Sequence, residues 1–212
     1  MRTPREIYAQ YKIMPNLQLH QLRVAAVAKL ICDHATTSVN AGNVVLECLF
    51  HDMGNIIKFD LAYFPEFLEP EGREYWESVK KDFLLKYGAE QHAATAAIAR
   101  EIGLPTAVLD VMNASGFSRV RAITEGGSAE LQICQYADMR VAPHGVVTLE
   151  ERLQDFAVRY KGKDDAIHED VLEASRALEQ KIFSDSNIRP EDIHDVTVAP
   201  LVETLGEYPA VA

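Results

Sequence analysis

The first residue that could do chemistry is a histidine on the apolar side of a predicted helix. His20 follows Leu17 by three residues and precedes Val24 by four, and this spacing puts the three side chains on one helical face. A single histidine at such a position is more often a hydrogen-bonded core residue than a metal ligand. Its interpretation therefore depends on which other ionisable side chains face the same interior.

Three more ionisable residues lie at the inner faces of two further apolar segments. His51 and Asp52 end one segment, with Asp52 three residues after Leu49, and Asp138 follows Cys134 by four residues in the other. His51 and Asp52 alone could also be a polar helix end. An unpaired carboxylate in an apolar interior is costly, whereas one cation can hold imidazoles and carboxylates together. The sequence therefore predicts one divalent metal ion bound by His20, His51, Asp52 and Asp138.

The donor types restrict the identity of this ion. Nitrogen and oxygen ligands together suit Mn, Fe, Co, Ni, Zn or Mg, and an octahedral ion would keep two positions for water or substrate. A closed tetrahedral zinc site is disfavoured, because no cysteine stands at ligand spacing. A metal that only stabilises the fold remains a weaker alternative.

Helical periodicity runs through almost the whole chain and predicts an all-α, single-domain helical bundle. Asn16 is the expected N-cap of the first helix, and Thr148 with Glu151 forms a capping box. The predicted helices are 17–34, 42–52, 74–87, 89–102, 106–113, 128–141, 148 to about 160, 164–183 and a short one opened by Pro190. The stretches 59–72 and 116–127 are predicted loops. The expected domain spans residues 1–160, with its core from about residue 17, and a small acidic helical extension, 161–212, packs on it.

Composition narrows the classes of molecule that the chain could bind. The 212 residues are 48% hydrophobic and 25% charged, which is typical of a folded domain, and no stretch is long and apolar enough for a membrane span. The formal net charge of -11 argues against a nucleic-acid polymer as partner, but it permits a small anion bound by a local cationic cluster. Residues 161–212 carry 12 Asp and Glu against 5 Lys and Arg, so the acidic excess lies away from the predicted ligands.

The cysteines and the N-terminus favour a cytoplasmic protein. Cys32, Cys48 and Cys134 are an odd, scattered set and do not form a disulfide framework. The stretch 1–12 has charges but no apolar core, so it is not a secretory signal. A homodimer stays open, since a helical face can pair with its copy, although no heptad array demands one.

The order of the four predicted ligands resembles the H…HD…D motif of the HD-domain superfamily. His20 lies in LQLHQLRVAAVAKLI, His51 and Asp52 in LECLFHDMGNIIKF, and Asp138 in LQICQYADMRV, while YGAEQHAATAAIAREIGL is similar to the family's intervening helix. The resemblance covers roughly residues 17–160. The HD dipeptide alone arises often by chance, but four elements in this order are much more specific.

The resemblance implies a metal-dependent phosphohydrolase that acts on a small phosphorylated substrate, most often a nucleotide. The metal would activate water and polarise a phosphoryl oxygen, and Asp52 would also steer the attacking water. Cationic side chains would stabilise the phosphate oxygens. The candidates for this role are Lys58 and Arg23, as catalytic and substrate-binding residues, and Arg140. Each of these could instead be solvated or paired in a salt bridge.

Two positions depart from the pattern of the family's enzymatic branches. Asn55 stands where several branches have Glu or Lys, so the general acid or base is not assigned, and Asn55 is kept as a substrate contact. His92 matches the first extra histidine of two-metal branches, but VLDVMNASGF offers Asn113 and no histidine. The resemblance therefore implies one metal, with His92 as a substrate contact or an interhelical hydrogen-bonding residue. These departures also leave open a non-catalytic regulatory or protein-binding module of the same fold.

Overall fold

Eleven α-helices form most of the chain in the residues that the structure describes. The structure is a computed structural model, which describes the backbone of residues 1–159 and 165–211 and the side chains of residues 1–158 and 169–211. The helices are α1 Pro4–Gln10, α2 Pro15–His34, α3 Ala41–Phe50, α4 Arg73–Tyr87, α5 Gln91–Ile102, α6 Thr106–Ala114, α7 Val120–Gly126, α8 Ala129–Met139, α9 Leu149–Arg159, α10 Asp165–Ser184 and α11 Asp195–Leu205. The prediction of an all-α fold is confirmed.

Short elements connect these helices. Within the described ranges, four 3-10 helices cover Asn55–Lys58, Pro65–Leu68, Phe117–Arg119 and Pro190–Asp192. Strands β1 Val141–Ala142 and β2 Gly145–Val146 pair antiparallel, with Val141 opposite Val146. The helix expected to reach residue 141 therefore ends at Met139, where this hairpin begins.

Helix α2 lies at the centre of the fold and packs against α3, α8 and α11. Its inner face includes Leu17, Val24 and Val27, each at most 3% exposed. The expectation that Asn16 caps this helix is wrong, because Pro15 already occupies the first helical turn and Met14 is the N-cap. Proline suits that position, since it has no N–H that would need a partner.

Side-chain caps fix the starts of α3 and α8, the two other helices that position the predicted metal ligands. The Asn40 side chain accepts a hydrogen bond from Asn43 N before α3, and the Ser128 side chain accepts one from Leu131 N before α8. The predicted capping box before α9 is confirmed: Glu151 N donates to Thr148 Oγ1, and Thr148 N donates to a Glu151 carboxylate oxygen.

Two helices were not expected from the sequence. The stretch 116–127, predicted as a loop, contains a 3-10 turn and α7, whose Val120 and Ile123 are buried against α8 and α10. Helix α1 begins with a capping box formed by Thr3 and Glu6. Both helices are only 7 residues long. Helices this short are marginal by themselves, so tertiary packing stabilises them.

The C-terminal helices contribute to the same buried cluster as the rest of the chain. Val171 and Leu178 of α10 and Val198 of α11 belong to that cluster, and α11 packs on α2. At the chain ends, Arg2 N donates a hydrogen bond to Val211 O. The expected boundary between residues 160 and 161 lies outside the described residues, as do the expected end of α9 and the expected start of α10.

Gly54 allows the segment after Asp52 to lie directly on α5. Gly54 N donates a hydrogen bond to Thr95 Oγ1 at 2.9 Å. A Cβ on Gly54 would lie 2.5 Å from Gln91 O, 2.8 Å from Ala94 Cβ and 2.9 Å from Thr95 N. These atoms cannot rotate away, so a methyl group here requires the segment to move off α5.

Gly54→Ala is expected to lower the free energy of unfolding by about 1–3 kcal/mol, the usual cost of overpacking a core. Urea denaturation of the two proteins measures this change. Gly126→Ala is the matched control, because a Cβ there meets no atom within 4 Å and alanine favours the helix. Equal stability of Gly54→Ala and the wild type would contradict the close approach to α5.

Candidate metal centre

Helices α2, α3 and α8 bring the four predicted ligands together. His20 lies in α2, His51 and Asp52 directly follow α3, and Asp138 lies in the last turn of α8. His20 Nε2 is 3.1 Å from Asp138 Oδ1, and His51 Nε2 is 3.5 Å from the same oxygen. Asp52 Oδ2 lies 3.7 Å from each of the two histidine Nε2 atoms. Ligating atoms of His20, His51 and Asp52 thus lie within 4.8 Å of one another, and Asp138 joins this group through its contacts with the two histidines.

The spacing of these atoms fits a single divalent ion. Ligands bonded at about 2.1 Å lie about 3.0 Å apart at right angles and about 3.4 Å apart in a tetrahedron. The measured separations of 3.1 to 3.7 Å span these values, so small side-chain movements would complete the coordination. The side chains are 12 to 36% exposed, which leaves the centre open on one side.

Hydrogen bonds to the surrounding protein orient two of the ligands. His51 Nδ1 lies 2.8 Å from Cys48 O. Because a carbonyl oxygen only accepts, Nδ1 carries the hydrogen and Nε2 presents its lone pair. Asp52 N donates to Oε1 of the fully buried Gln21. His51 Nε2 is buried and has no hydrogen-bond partner among the described residues. A buried, unpartnered nitrogen aimed at two carboxylates is the arrangement expected of a metal ligand.

The charges of the cluster shift the pKa values of two ligands in opposite directions. Burial lowers the pKa of His51, but Asp52 and Asp138 outweigh burial and raise it well above its ordinary value. Burial raises the pKa of Asp138, but the neighbouring imidazoles of His20 and His51 outweigh burial and hold the pKa well below its usual range. Without a cation, a proton on His51 therefore balances the ionised Asp138.

Metal affinity is expected to fall as the pH is lowered, because an ion must displace the proton on His51. Asp138 stays ionised, so below the raised pKa of His51 one displaced proton gives about a tenfold loss of affinity per pH unit. Calorimetric titration of metal-free protein with Mn²⁺ at several pH values, in buffers of different ionisation enthalpy, measures both the affinity and the released proton. An affinity that is independent of pH from about 5 to 8, the range in which an ordinary histidine titrates, would contradict this assignment.

The four ligands open into a cleft of about 1410 Å³ that also contains three of the predicted substrate contacts. Lys58 and His92 line the cleft with exposed side chains. Asn55 is 4% exposed and anchors the turn, since its backbone N donates to Asp52 O at 3.0 Å. The structure thus places Lys58, His92 and Asn55 beside the centre, and their roles toward a substrate stay predictions.

Two predicted phosphate contacts do not line the cleft. Arg140 is 1% exposed, and its guanidinium donates hydrogen bonds to Tyr136 Oη and to the carbonyl oxygens of Val147, Pro190 and Ile193. The prediction that Arg140 contacts substrate is therefore wrong, because all of its donor groups are directed into the core.

Arg23 lies one turn after His20, but its Nε is 3.9 Å from Asp195 Oδ1, and the side chain is outside the cleft lining. The roles of Arg23 in catalysis and phosphate binding stay predictions.

Several cleft residues escaped the sequence analysis. The Arg119 side chain donates a hydrogen bond to Asn113 O at 2.7 Å, and Gln135 Oε1 accepts one from Gly116 N at 2.9 Å. The side chains of Arg119 and Gln135 therefore fix the cleft wall formed by the loop after α6. Glu47 is 2% exposed and also lines the cleft. Its position four residues before His51, on the same face of an otherwise apolar helix, was the available signal.

Aromatic side chains form one rim of the cleft. Tyr63, Phe64 and Phe67 line it, and the Phe64 and Phe67 rings lie 5.8 and 5.4 Å from the exposed ring of His144. Tyr63 is 65% exposed. Trp76, by contrast, is 3% exposed and donates its indole N–H to Leu68 O, so it belongs to the core beneath the loop.

Comparison with known proteins gives no match. No protein-family model, no curated protein and no solved structure matches this chain. None of the helices in the described ranges has both the length and the apolar character needed to cross a membrane.

Proposed function

We propose that the chain is a metal-dependent phosphohydrolase of the HD-domain kind that acts on a small phosphorylated metabolite, with nucleotides as the leading class. The observation that carries this proposal is the buried, unpartnered His51 Nε2, which converges with His20 and two carboxylates at the floor of an open cleft. The order of these ligands along the sequence, with its resemblance to the HD motif, supports the reaction class.

The ligands would hold one divalent ion and leave its open side toward the cleft. When bound, such an ion lowers the pKa of a coordinated water and polarises a phosphoryl oxygen. Asp52, whose backbone N–H is fixed by Gln21, would orient the attacking water through a carboxylate oxygen. Its two oxygens allow one to bind the ion while the other accepts a hydrogen bond from that water.

The cationic side chains of the cleft would receive the phosphate. Lys58 is exposed in the cleft and makes no hydrogen bond with the described residues, so its ammonium group is available to an anion. Arg119 and His92 line the same cleft. Together with a divalent ion, these groups place positive charge inside the cleft of a chain whose formal net charge is -11. An anionic substrate is compatible with the acidic chain for this reason.

The test is phosphate release from a panel of nucleotides and sugar phosphates, with Mn²⁺ or Co²⁺ added to metal-free protein. Metal-dependent release is expected from at least one substrate and is expected to be lost in His20→Ala. His34→Ala is the matched control, because His34 lies outside the cleft at the end of α2. No release from any compound by protein that has bound a stoichiometric ion would overturn the proposal.

One observation favours a regulatory or protein-binding module as the second candidate. Asn55, a neutral side chain that is 4% exposed, occupies the position where enzymatic branches place an acid or a base. A module of this kind would bind the ion without turnover. In that case Asp52→Ala would lower the melting temperature, and there would be no activity to lose.

A further inference from the structure

Two thiols and one carboxyl group meet at the wall of the cleft. Glu47 and Cys48 are adjacent in α3, and Cys134 faces them from α8. One ligating atom from each of these three side chains lies within 4.8 Å of the other two. The three residues are 2%, 0% and 3% exposed, respectively. Sulfur and oxygen donors are thus gathered from two helices into one buried position.

We propose that Glu47, Cys48 and Cys134 bind a second divalent ion, of the thiolate-preferring class that includes Zn²⁺ and Cd²⁺. We call this cluster the thiolate site. It shares no ligand with the centre formed by the histidines and aspartates, and it does not depend on the proposed hydrolase activity.

The geometry of the thiolate site is close to that of a coordinated ion. Two sulfurs bound to one tetrahedral zinc lie about 3.8 Å apart, and a bound sulfur and oxygen lie about 3.6 Å apart. Atoms within 4.8 Å of one another therefore need to move closer by no more than about 1 Å. Because α3 and α8 pack against each other and hold the backbones in place, rotation of the side chains supplies this movement.

The charge balance favours a soft cation over a hard one. Glu47 has no Lys or Arg partner within the described residues, its Oε1 accepts a hydrogen bond from Ser115 Oγ at 3.3 Å, and its carboxyl group is within hydrogen-bonding reach of both thiols. Burial raises the pKa of Glu47. Burial raises the pKa of the Cys48 thiol and raises that of the Cys134 thiol further, so both are neutral when no ion is bound. An ion must therefore displace thiol protons, and only metals with high thiolate affinity compensate for that cost.

The cleft gives an ion access to the thiolate site. Glu47, Cys134 and Ser115 all line the cleft, whereas Cys48 lies behind them. A fourth ligand can therefore be a water from the cleft side. The backbone carbonyl of Cys48 also accepts the hydrogen bond that orients His51. The two centres thus lie next to each other but have no ligand in common.

Cadmium titration of reduced, metal-free protein tests the thiolate site. The wild type is expected to bind two equivalents and to develop the ultraviolet charge-transfer absorption of thiolate-bound Cd²⁺. Cys48→Ala/Cys134→Ala is expected to lose this absorption and one equivalent. Cys32→Ala is the matched control and is expected to keep both, because Cys32 lies outside the cluster. His20→Ala is expected to lose one equivalent while the absorption remains.

The wild-type absorption can overturn the proposal by itself, whether or not the variants fold. Circular dichroism establishes whether the double variant folds, since both thiols are in the core. Absence of thiolate absorption in the wild type at saturating Cd²⁺ overturns the proposal. So does absorption that persists in the folded double variant or that disappears in Cys32→Ala. If the double variant does not fold, the wild type and Cys32→Ala alone decide the outcome.

Discussion

Asp52→Asn is expected to reduce metal-dependent phosphate release by at least about a thousandfold, which corresponds to about 4 kcal/mol of transition-state stabilisation. The amide keeps the size of the side chain but removes the charge that lies 3.7 Å from both histidine Nε2 atoms. Loss of a residue that only orients a ligand costs about 10–100-fold in metal affinity, so loss of a ligand is expected to cost at least as much.

Two measurements separate metal loss from loss of chemistry in this variant. Calorimetry gives the affinity of Asp52→Asn for Mn²⁺, and initial rates at saturating Mn²⁺ give the remaining turnover. Asp82→Asn is the matched control, since Asp82 is exposed on α4 and does not line the cleft. A variant that binds Mn²⁺ and hydrolyses substrate like the wild type would show that Asp52 neither binds the ion nor orients water.

Arg140→Met is expected to lower the free energy of unfolding by about 3–5 kcal/mol. The guanidinium donates to three carbonyl oxygens, those of Val147, Pro190 and Ile193, and to Tyr136 Oη. Methionine fills part of the volume but donates no hydrogen bond, so these buried acceptors lose their partner. The effect should be large because the contacts join α8 to the segment before α11.

Urea denaturation measures the stability of this variant, and steady-state kinetics at a temperature where it is folded measures its substrate affinity. Arg73→Met is the control and is expected to leave the free energy of unfolding nearly unchanged, since Arg73 forms an exposed pair with Glu77. A stable Arg140→Met protein with a raised KM would restore Arg140 as a substrate contact.

The grouping of the four ionisable side chains could be predicted because its signal is local. His20 and Asp138 each fall on a helical stripe defined by neighbours within one or two turns, and His51 and Asp52 end an apolar helix. Helix periodicity is set by residues three and four apart, so a single sequence contains enough information to orient these side chains. The inward direction of four ionisable groups then indicated that they share one interior.

The surroundings of the arginines could not be predicted, because their partners lie far away in the sequence. Arg23 lies near Asp195 of α11, and Arg140 is surrounded by carbonyl groups that come up to 53 residues later. No spacing rule connects such positions. Charged residues are rarely fully buried, so proximity to Asp138 in the sequence was a misleading guide to the environment of Arg140.

Helix α7 was missed for a different physical reason. Only Val120 and Ile123 of its 7 residues are buried, and the other positions hold three polar residues, one alanine and one glycine. A pattern of two apolar residues is too short to distinguish a helix from a loop. What stabilises α7 is packing on α8 and α10, together with hydrogen bonds such as Thr124 Oγ1 to Ala174 O. These contacts form only in the complete fold.

Anomalous diffraction from crystals grown with Mn²⁺ tests the metal centre most directly, because it locates the ion without reference to activity. The expected result is one strong peak between α2, α3 and α8, at about 2.0–2.3 Å from His20 Nε2, His51 Nε2 and one carboxylate oxygen each of Asp52 and Asp138. Loss of the peak in His20→Ala crystals would strengthen the assignment. A wild-type crystal at saturating Mn²⁺ with no peak at this position, or with a peak bound by other residues, would contradict it.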